Sequence, residues 1–353
     1  MISRNSKSGF VASAILGAAV LFGCLSSLQS QPAAGKLHIY FIDVEGGQAT
    51  LFVTPAGQSL LVDTGWPDNK GRDADRIVAA AKKAGLSKID YVLITHYHED
   101  HAGGIPQLVD RIPVGTFLDH GPNRELDKGI TEKDYAEYQA VLAKGKSKVI
   151  HETPGNVLPI KGMTATVISE DGNLIAKPLS GAGAPNAYCK DAGAVPADET
   201  ENARSLGIAI QFGKLKLLDL GDLTKDKEKQ LVCPVNKLGK VDIYIVSHHG
   251  WSQSSSPVFV DALHARVAIM DNGEMKGGST PVLQTIRKAP GLETLWQVHY
   301  SKEGGDANNT SAEYIANLLG QDGGKGLELV ADANGSFDIR NSRTGVTKHY
   351  PAK

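Results

Sequence analysis

The chain has 353 residues, 41% hydrophobic and 22% charged, a balance that suits a protein with a large core and excludes a largely disordered one. Lysine and arginine number 37 against 39 aspartates and glutamates, and loss of Arg4 and Lys7 with the first thirty residues leaves a formal charge of about −4. That balance argues against a broad phosphate-binding footprint and leaves room only for a local basic groove.

Residues 1–30 read as an export signal, with a basic start, an apolar stretch from Phe10 to Phe22, then small and polar residues. The apolar stretch is shorter than the roughly 20 residues a spanning helix needs, so no transmembrane span is expected in the mature chain. Cys24, in "LFGC", resembles a lipoprotein cleavage box, although Phe22 stands where that box prefers a small residue. A lipid anchor through Cys24 is the second reading. Either way the protein is expected in the periplasm or outside the cell. There Cys189 and Cys233 can pair or remain two buried thiols, and the sequence does not choose.

After a Pro/Ala/Gly linker near 32–35, residues 36–353 read as a single domain with an insertion at about 124–200. "KLHIYFIDV" is a strand, and "QATLFVTPAGQSLLVDTG" is two strands about a Pro-Ala-Gly turn. "DADRIVAAAKKAGLS" has helical apolar spacing at Ile77, Val78 and Ala81, with Gly85 as a stop. "IDYVLIT" is a continuous buried strand and "GGIPQLVDRI" starts another helix. In the insertion, "ELDKGITEKDYAEYQAVLAKG" is a polar amphipathic helix, followed by a long Gly/Ala/Pro-rich loop of the kind that covers pockets. Strands resume at "SLGIAIQFGKLKLLDLGD", a hairpin turning at Gly213-Lys214, then at "VDIYIVSHHG", "RVAIMDNG", "LETLWQVHYS" and "LELVADANGSFDIRN". The alternation predicts an α/β layered domain.

"THYHEDHAGG" places His96, His98, Asp100 and His101 within six positions behind the buried strand. Four imidazole and carboxylate donors at that spacing suit a zinc-like ion, which favours nitrogen and oxygen ligands. A catalytic ion keeps one position open for water, so four donors from one segment suggest two ions and require further donors from elsewhere. The candidates at other strand ends are His120 in "TFLDHG", Asp222 in "LLDLGD" with Asp219 as the fallback, and His248 or His249 in "VSHHG". His38, His151, His264, His299 and His349 lack a supporting cluster, and His299 is the one whose strand could still reach the site. Trp66 and Trp251 read either as core or as pocket walls, and "SQSSS" at 252–256 either as a polar loop or as an anion contact. There is no Gly-x-Ser-x-Gly elbow, Walker-type loop or Cys beside a suitable His, so the nucleophile is expected to be water.

"THYHEDHAGG", followed by "LLDLGD" and "SHHG" in that order, resembles the signature of the metallo-β-lactamase superfamily. "FIDVEGGQATLFVTPAGQSLLVDTG", "NARSLGIAIQFGKLKLLDLGD" and "SHHGWSQSSS" are similar to the hydrolase-like domain of the competence protein ComEC and its free-standing secreted relatives. The resemblance implies a four-layer αββα sandwich with a dinuclear site at one edge of its β layers. It implies that His96 and His98 bind a first ion, Asp100 and His101 a second, and that Asp222 bridges them. His248, preferred over His249, would complete the second site, and His249 would act behind the ions or as a proton donor. Asp43 and Asp63 match positions that support the ligands from behind. Many members supply a third histidine to the first ion where this chain reads "ENARS", with Asn202; His120 is the substitute the sequence offers.

These implications give two divalent ions, zinc first and manganese second, and a metal-held hydroxide oriented by Asp100. The expected substrate is a small or short phosphodiester, with long nucleic acid left open. An ester, lactone or β-lactam hydrolase shares the same centre, and a secreted metal-binding accessory protein without catalysis is the reading of another class. Oligomeric state is not legible.

Overall fold

The alternation Leu37, Ile39, Phe41 against His38 and Tyr40 sets one face of the first strand into the deepest apolar layer of the molecule. The computed structural model describes residues 1–3, 35–67, 69–126 and 129–353. The export-signal reading and Cys24 fall on 4–30, outside the described residues.

From that strand, β1 (Leu37–Phe41), the chain forms β2 (Thr50–Val53), β3 (Ser59–Val62), helix α1 (Arg72–Lys83), β4 (Ile89–Leu93), α2 (Glu99–Ala102), α3 (Ile105–Val109), β5 (Val114–Asp119), α4 (Ile130–Ala143) and β6 (Lys148–His151). It then crosses to a second sheet through β7 (Thr164–Glu170), β8 (Asn173–Leu174), β9 (Gly207–Phe212), β10 (Leu215–Asp219), α5 (Lys225–Val232), β11 (Ile243–Ile245), α6 (Pro257–Leu263), β12 (Val267–Met270), α7 (Thr280–Lys288), β13 (Thr294–His299), α8 (Gly305–Asn308) and β14 (Ile315–Asn317). It returns to the first sheet with β15 (Leu327–Ala331), β16 (Phe337–Asn341) and β17 (Thr347–Tyr350). The strand orders are β17-β16-β15-β1-β2-β3-β4-β5-β6 and β14-β13-β12-β11-β10-β9-β7-β8.

Three apolar layers hold these elements. Phe52, Leu93, Leu217, Ile245 and Trp296 fill the space between the two sheets. Ile77, Ala81, Val92, Leu108 and Tyr138 join the outer face of the first sheet to α1, α3 and α4. Leu231, Tyr244, Phe259 and Leu283 do the same for the second sheet with α5, α6 and α7. The result is the four-layer αββα sandwich expected from the sequence.

The stretch 124–200 is woven into that sandwich. In α4, Thr131, Asp134, Tyr138 and Val141 recur at helical spacing and are buried, which makes this polar helix an outer layer of the first sheet. β6 pairs with β5, and β7 pairs with β9, so the segment carries the crossover between the sheets. Its later part is pinned to the end of α5 by a Cys189–Cys233 disulfide and a Pro185–Val235 bridge.

Strands β3, β4, β10, β11 and β12 all end at one edge of the sandwich, with Asp63, His96, Asp222, Ser247 and Asp271 just beyond them. Short loops on rigid strand ends are where such folds gather side chains.

Candidate metal centre

Behind β4 the chain runs extended through Thr95–His98, so His96 and His98 share one side and Tyr97 takes the other. Helix α2 then carries Asp100 and His101 inward. Gly104 is required here by close approach: a Cβ on it would lie 2.1 Å from the Thr64 carbonyl oxygen. Asp222 arrives from the turn after β10. Gly221, at φ 53°, rests that turn against Thr95, where a Cβ would meet the Thr95 Cβ at 2.8 Å.

His248 and His249 sit in the turn Ser247–Gly250 with φ 57° and 52°. Two successive left-handed residues that are not glycine are costly, and such strain persists where surrounding contacts enforce it. Here the His248 amide donates to Gly221 O at 3.1 Å and the Gly278 amide donates to His249 O at 2.8 Å. The turn splays the two imidazoles to opposite sides of Asp222.

Asp222 therefore divides the donors. Its Oδ1 lies 3.3 Å from His101 Nε2 and 3.5 Å from His249 Nε2. Asp100 Oδ2 closes that side, 3.2 Å from His101 Nε2 and 3.0 Å from His249 Nε2. Ligand atoms of Asp100, His101, Asp222 and His249 all fall within 4.8 Å of one another. Asp222 Oδ2 faces the other side, 3.3 Å from His248 Nε2 and 4.0 Å from His96 Nε2. His98 Nδ1 is 3.0 Å from His96 Nε2.

Four of the imidazoles are hydrogen-bonded through their other nitrogen, and that of His249 lies near a carboxylate without a hydrogen bond. His101 Nδ1 is 2.7 Å from Asp63 Oδ2, and His98 Nε2 is 3.2 Å from Glu125 Oε2. His96 Nδ1 meets Thr95 Oγ1 at 3.0 Å, His248 Nδ1 meets Ser254 Oγ at 3.4 Å, and His249 Nδ1 faces Asp271 Oδ1 at 3.5 Å. Such outer partners fix the ring orientation that a metal ligand needs.

Charge follows the same division. Burial would raise Asp222 and Asp100, but His101 with His248 and His249 outweighs it at Asp222, and His101 with Lys276 outweighs it at Asp100, so both carboxyls lie well below their usual range. Burial opposes a proton on His101 and His249, yet the facing carboxylates raise His101 well above its ordinary value and lift His249 to about 9. Burial holds His248 down to about 4 and His96 well below the usual value.

Several positions differ from the sequence reading. His249, not His248, joins Asp100 and His101, because the turn points His248 across Asp222. His120 stays outside the cluster: it follows β5 on the Tyr97 side of the strand, stacks 4.7 Å from that ring, and places Nε2 3.0 Å from Glu201 Oε2. Asp43 touches none of the clustered donors. Its Oδ1 is 2.7 Å from His299 Nε2 and accepts the Glu45 amide, which shapes the turn whose Gln48 amide donates to Asp100 O at 3.2 Å. Asp219 is occupied by Gln48, whose Nε2 donates to both its oxygens at 3.0 and 2.9 Å. The "ENARS" stretch contributes Ser205, whose Oγ accepts the Asp222 amide at 3.2 Å. In "SQSSS", Ser255 and Ser256 are turned inward onto the buried Glu228.

Sequence reasoning missed Glu125, Glu201, Asp271 and Lys276. Glu125, Glu201 and Lys276 carry no local pattern, whereas Asp271 directly follows β12, the same strand-end signal that marked Asp222.

Asp43, Glu45 and His299 form a second group of close donors, but Arg76 Nη1 stands 3.1 Å from Asp43 Oδ2, a cation already in place. Among the described residues no helix is long and apolar enough to cross a membrane.

Residues 42–176 match the family model described as the metallo-beta-lactamase superfamily. The chain is 21% identical over 304 residues to ComE operon protein 3 of Bacillus subtilis, covering 81% of this chain and 34% of that protein. It is 26% identical over 233 residues to Recombination protein 2 of Haemophilus influenzae, covering 66% of this chain and 24% of that protein. It thus spans about a third or less of these relatives. Among solved structures, the metallo-beta-lactamase fold protein YhfI of Bacillus subtilis matches with a TM-score of 0.47 at 14% identity, over 74% of this chain and 96% of that one. The matched segment runs from the end of β1 through the His-x-His-x-Asp-His stretch to β7 and β8, so this part of the chain is similar to the metallo-β-lactamase superfamily.

Proposed function

We propose that the protein is a metal-dependent hydrolase of phosphodiesters, with two divalent ions held at the edge where strands of its two sheets end. One observation carries the reading: of five clustered imidazoles four have one nitrogen hydrogen-bonded to an outer partner, and all five turn a nitrogen to the carboxylates of Asp100 and Asp222 or to a neighbouring imidazole of the cluster. The donor set fits the ions. Asp222 Oδ1 is buried without a hydrogen-bond partner, and His101 Nε2 faces His249 Nε2 at 3.2 Å, an arrangement that a shared cation resolves.

Asp100, His101, His249 and Asp222 would hold one ion, and His96, His98, His248 and Asp222 the other. His248 then supplies the third histidine that "ENARS" lacks, and His120 is not needed. Nitrogen and oxygen donors without thiolate favour zinc, with manganese as the alternative. Bound divalent ions supply a hydroxide nucleophile near neutral pH, because coordination lowers the water pKa from 15.7 to roughly 7.

The chain's own residues do the rest. Asp100 Oδ2, at the mouth beside Lys276, orients the attacking water by accepting its hydrogen bond. Asp63 keeps His101 in the tautomer that presents Nε2, and the Asp271 carboxylate, 3.5 Å from His249 Nδ1, favours the same tautomer there by charge. His249 is assigned as a ligand rather than a proton donor, since Nε2 points into the carboxylate pair. A phosphodiester is favoured over an ester, lactone or β-lactam by the two relatives' likeness and by the cation at the mouth. Export to the periplasm or beyond is supported by the signal-like start and the Cys189–Cys233 disulfide, a bond of oxidising compartments.

The test is hydrolysis of bis(p-nitrophenyl) phosphate by protein reconstituted with zinc or manganese, with metal content assayed on the same sample. His96→Ala and Asp222→Ala should lose both an ion and turnover. Full activity in either variant removes the assignment.

A further inference from the structure

Lys276 lies in the loop between β12 and α7, and the loop is pressed against the histidine turn. Gly277, at φ 78°, permits that contact: a Cβ on it would lie 2.2 Å from His249 O. The Gly273 amide donates to Lys276 O at 2.8 Å and closes the loop on itself. The side chain is 19% exposed, and its ammonium bonds Asp100 Oδ2. Nζ also stands 4.7 Å from the Trp66 ring centre and 5.7 Å from that of Trp251, close enough for cation–π attraction to both. Trp251 in turn packs 5.5 Å from the His248 ring.

A lysine used only to balance a surface carboxylate needs neither aromatic wall nor enclosure. Here two tryptophans from different loops fix one ammonium at the mouth of a cluster that the reading above fills with divalent ions. An ammonium has three donors, and the carboxylate takes one direction. Once an ion shares the charge of Asp100, the ammonium is left beside a cation, and an anion between the two relieves that repulsion.

We propose that Lys276, walled by Trp66 and Trp251, is an anion-recognition residue that holds a non-bridging oxygen of a singly charged phosphodiester against the metal centre and selects anionic over neutral esters. This rests on the metal-hydrolase reading for its position relative to the ions, but not for anion binding itself. Lys276 is a binding residue in this scheme, and no proton transfer is asked of it.

The experiment compares wild type, Lys276→Met and Lys276→Arg as the full zinc-loaded chain, with bis(p-nitrophenyl) phosphate as the anionic substrate and p-nitrophenyl acetate as the neutral one. Inorganic phosphate binding is followed in parallel by calorimetry and by the fluorescence of the flanking tryptophans. A lost charge-assisted hydrogen bond should cost the diester roughly 10- to 100-fold more kcat/KM than the acetate in Lys276→Met, mainly through KM. Phosphate affinity should fall in the same variant, Lys276→Arg should restore part of both, and metal content should be kept or raised because a like charge is gone. Equal losses on both substrates, loss of metal from Lys276→Met, or an unchanged phosphate affinity in the loaded variant would each overturn the proposal. If the wild type hydrolyses neither ester, the hydrolase reading fails, and the phosphate titration alone still decides Lys276.

Discussion

Asp219→Asn should change how stability depends on pH. Asp219 ends β10 and is fully enclosed, and burial pushes its carboxyl up to about 7 against the opposing N–H bonds of Gln48 and Gly221. In the unfolded chain the same group titrates near its ordinary value of 3.8. Below that value both states hold the proton and the group contributes no difference. As pH rises from 3.8 toward 7 the unfolded chain releases the proton first, so folding stability falls until the folded group ionises too. One pH unit corresponds to about 1.4 kcal/mol, so the loss between pH 5 and pH 8 comes to about 3 kcal/mol. Asparagine does not titrate and keeps the acceptor for Gln48. Urea unfolding of metal-free wild type and variant across that range should show a stability difference that grows in favour of Asp219→Asn by about 3 kcal/mol. Parallel curves would mean that the donors from Gln48 hold the carboxylate ionised and that burial does not dominate.

Two further expectations concern the ions. His248→Ala should leave one tightly held ion where the wild type holds two, whereas His120→Ala should keep both, because Glu201 alone occupies His120 Nε2; metal content after exhaustive dialysis separates the two cases. Asp271→Asn, which removes the negative charge 3.5 Å behind His249 Nδ1, should weaken one ion by about 10-fold in a chelator competition, with the fold intact by thermal melt.

The sequence carried the parts of the site that lie next to one another. His96, His98, Asp100 and His101 are legible because a strand end and one turn of helix bring residues spaced by two and three positions to a common point. Asp222 is legible because it follows a strand that ends at the sheet edge, and Asp63 only through the family resemblance. The layered α/β class is legible in the alternation of buried strands and helices, and the four layers only through the family resemblance. The segment 124–200 misled because β6, a fully exposed strand "KVIH" at the sheet edge, has no buried face to show in its pattern. α4 was legible as a helix but its packing on the first sheet was not, because two of its four buried residues are Thr131 and Asp134.

The histidine pair shows what a sequence withholds. Which imidazole faces Asp100 depends on the sign of two backbone angles, and a His-His-Gly triplet is compatible with several. Those angles are set by contacts that arrive from elsewhere, the Gly221 carbonyl after β10 and the Gly278 amide after β12. The division of His248 and His249 between the two sides of Asp222 is thus a property of how three strand ends pack, and under the proposed two-ion reading it offsets the absence of a third histidine in "ENARS". A gap in one segment can be filled by a residue whose neighbour already has a role, provided the backbone turns sharply enough between them. Here it turns by two left-handed residues in succession, which places two imidazoles on opposite oxygens of a single carboxylate.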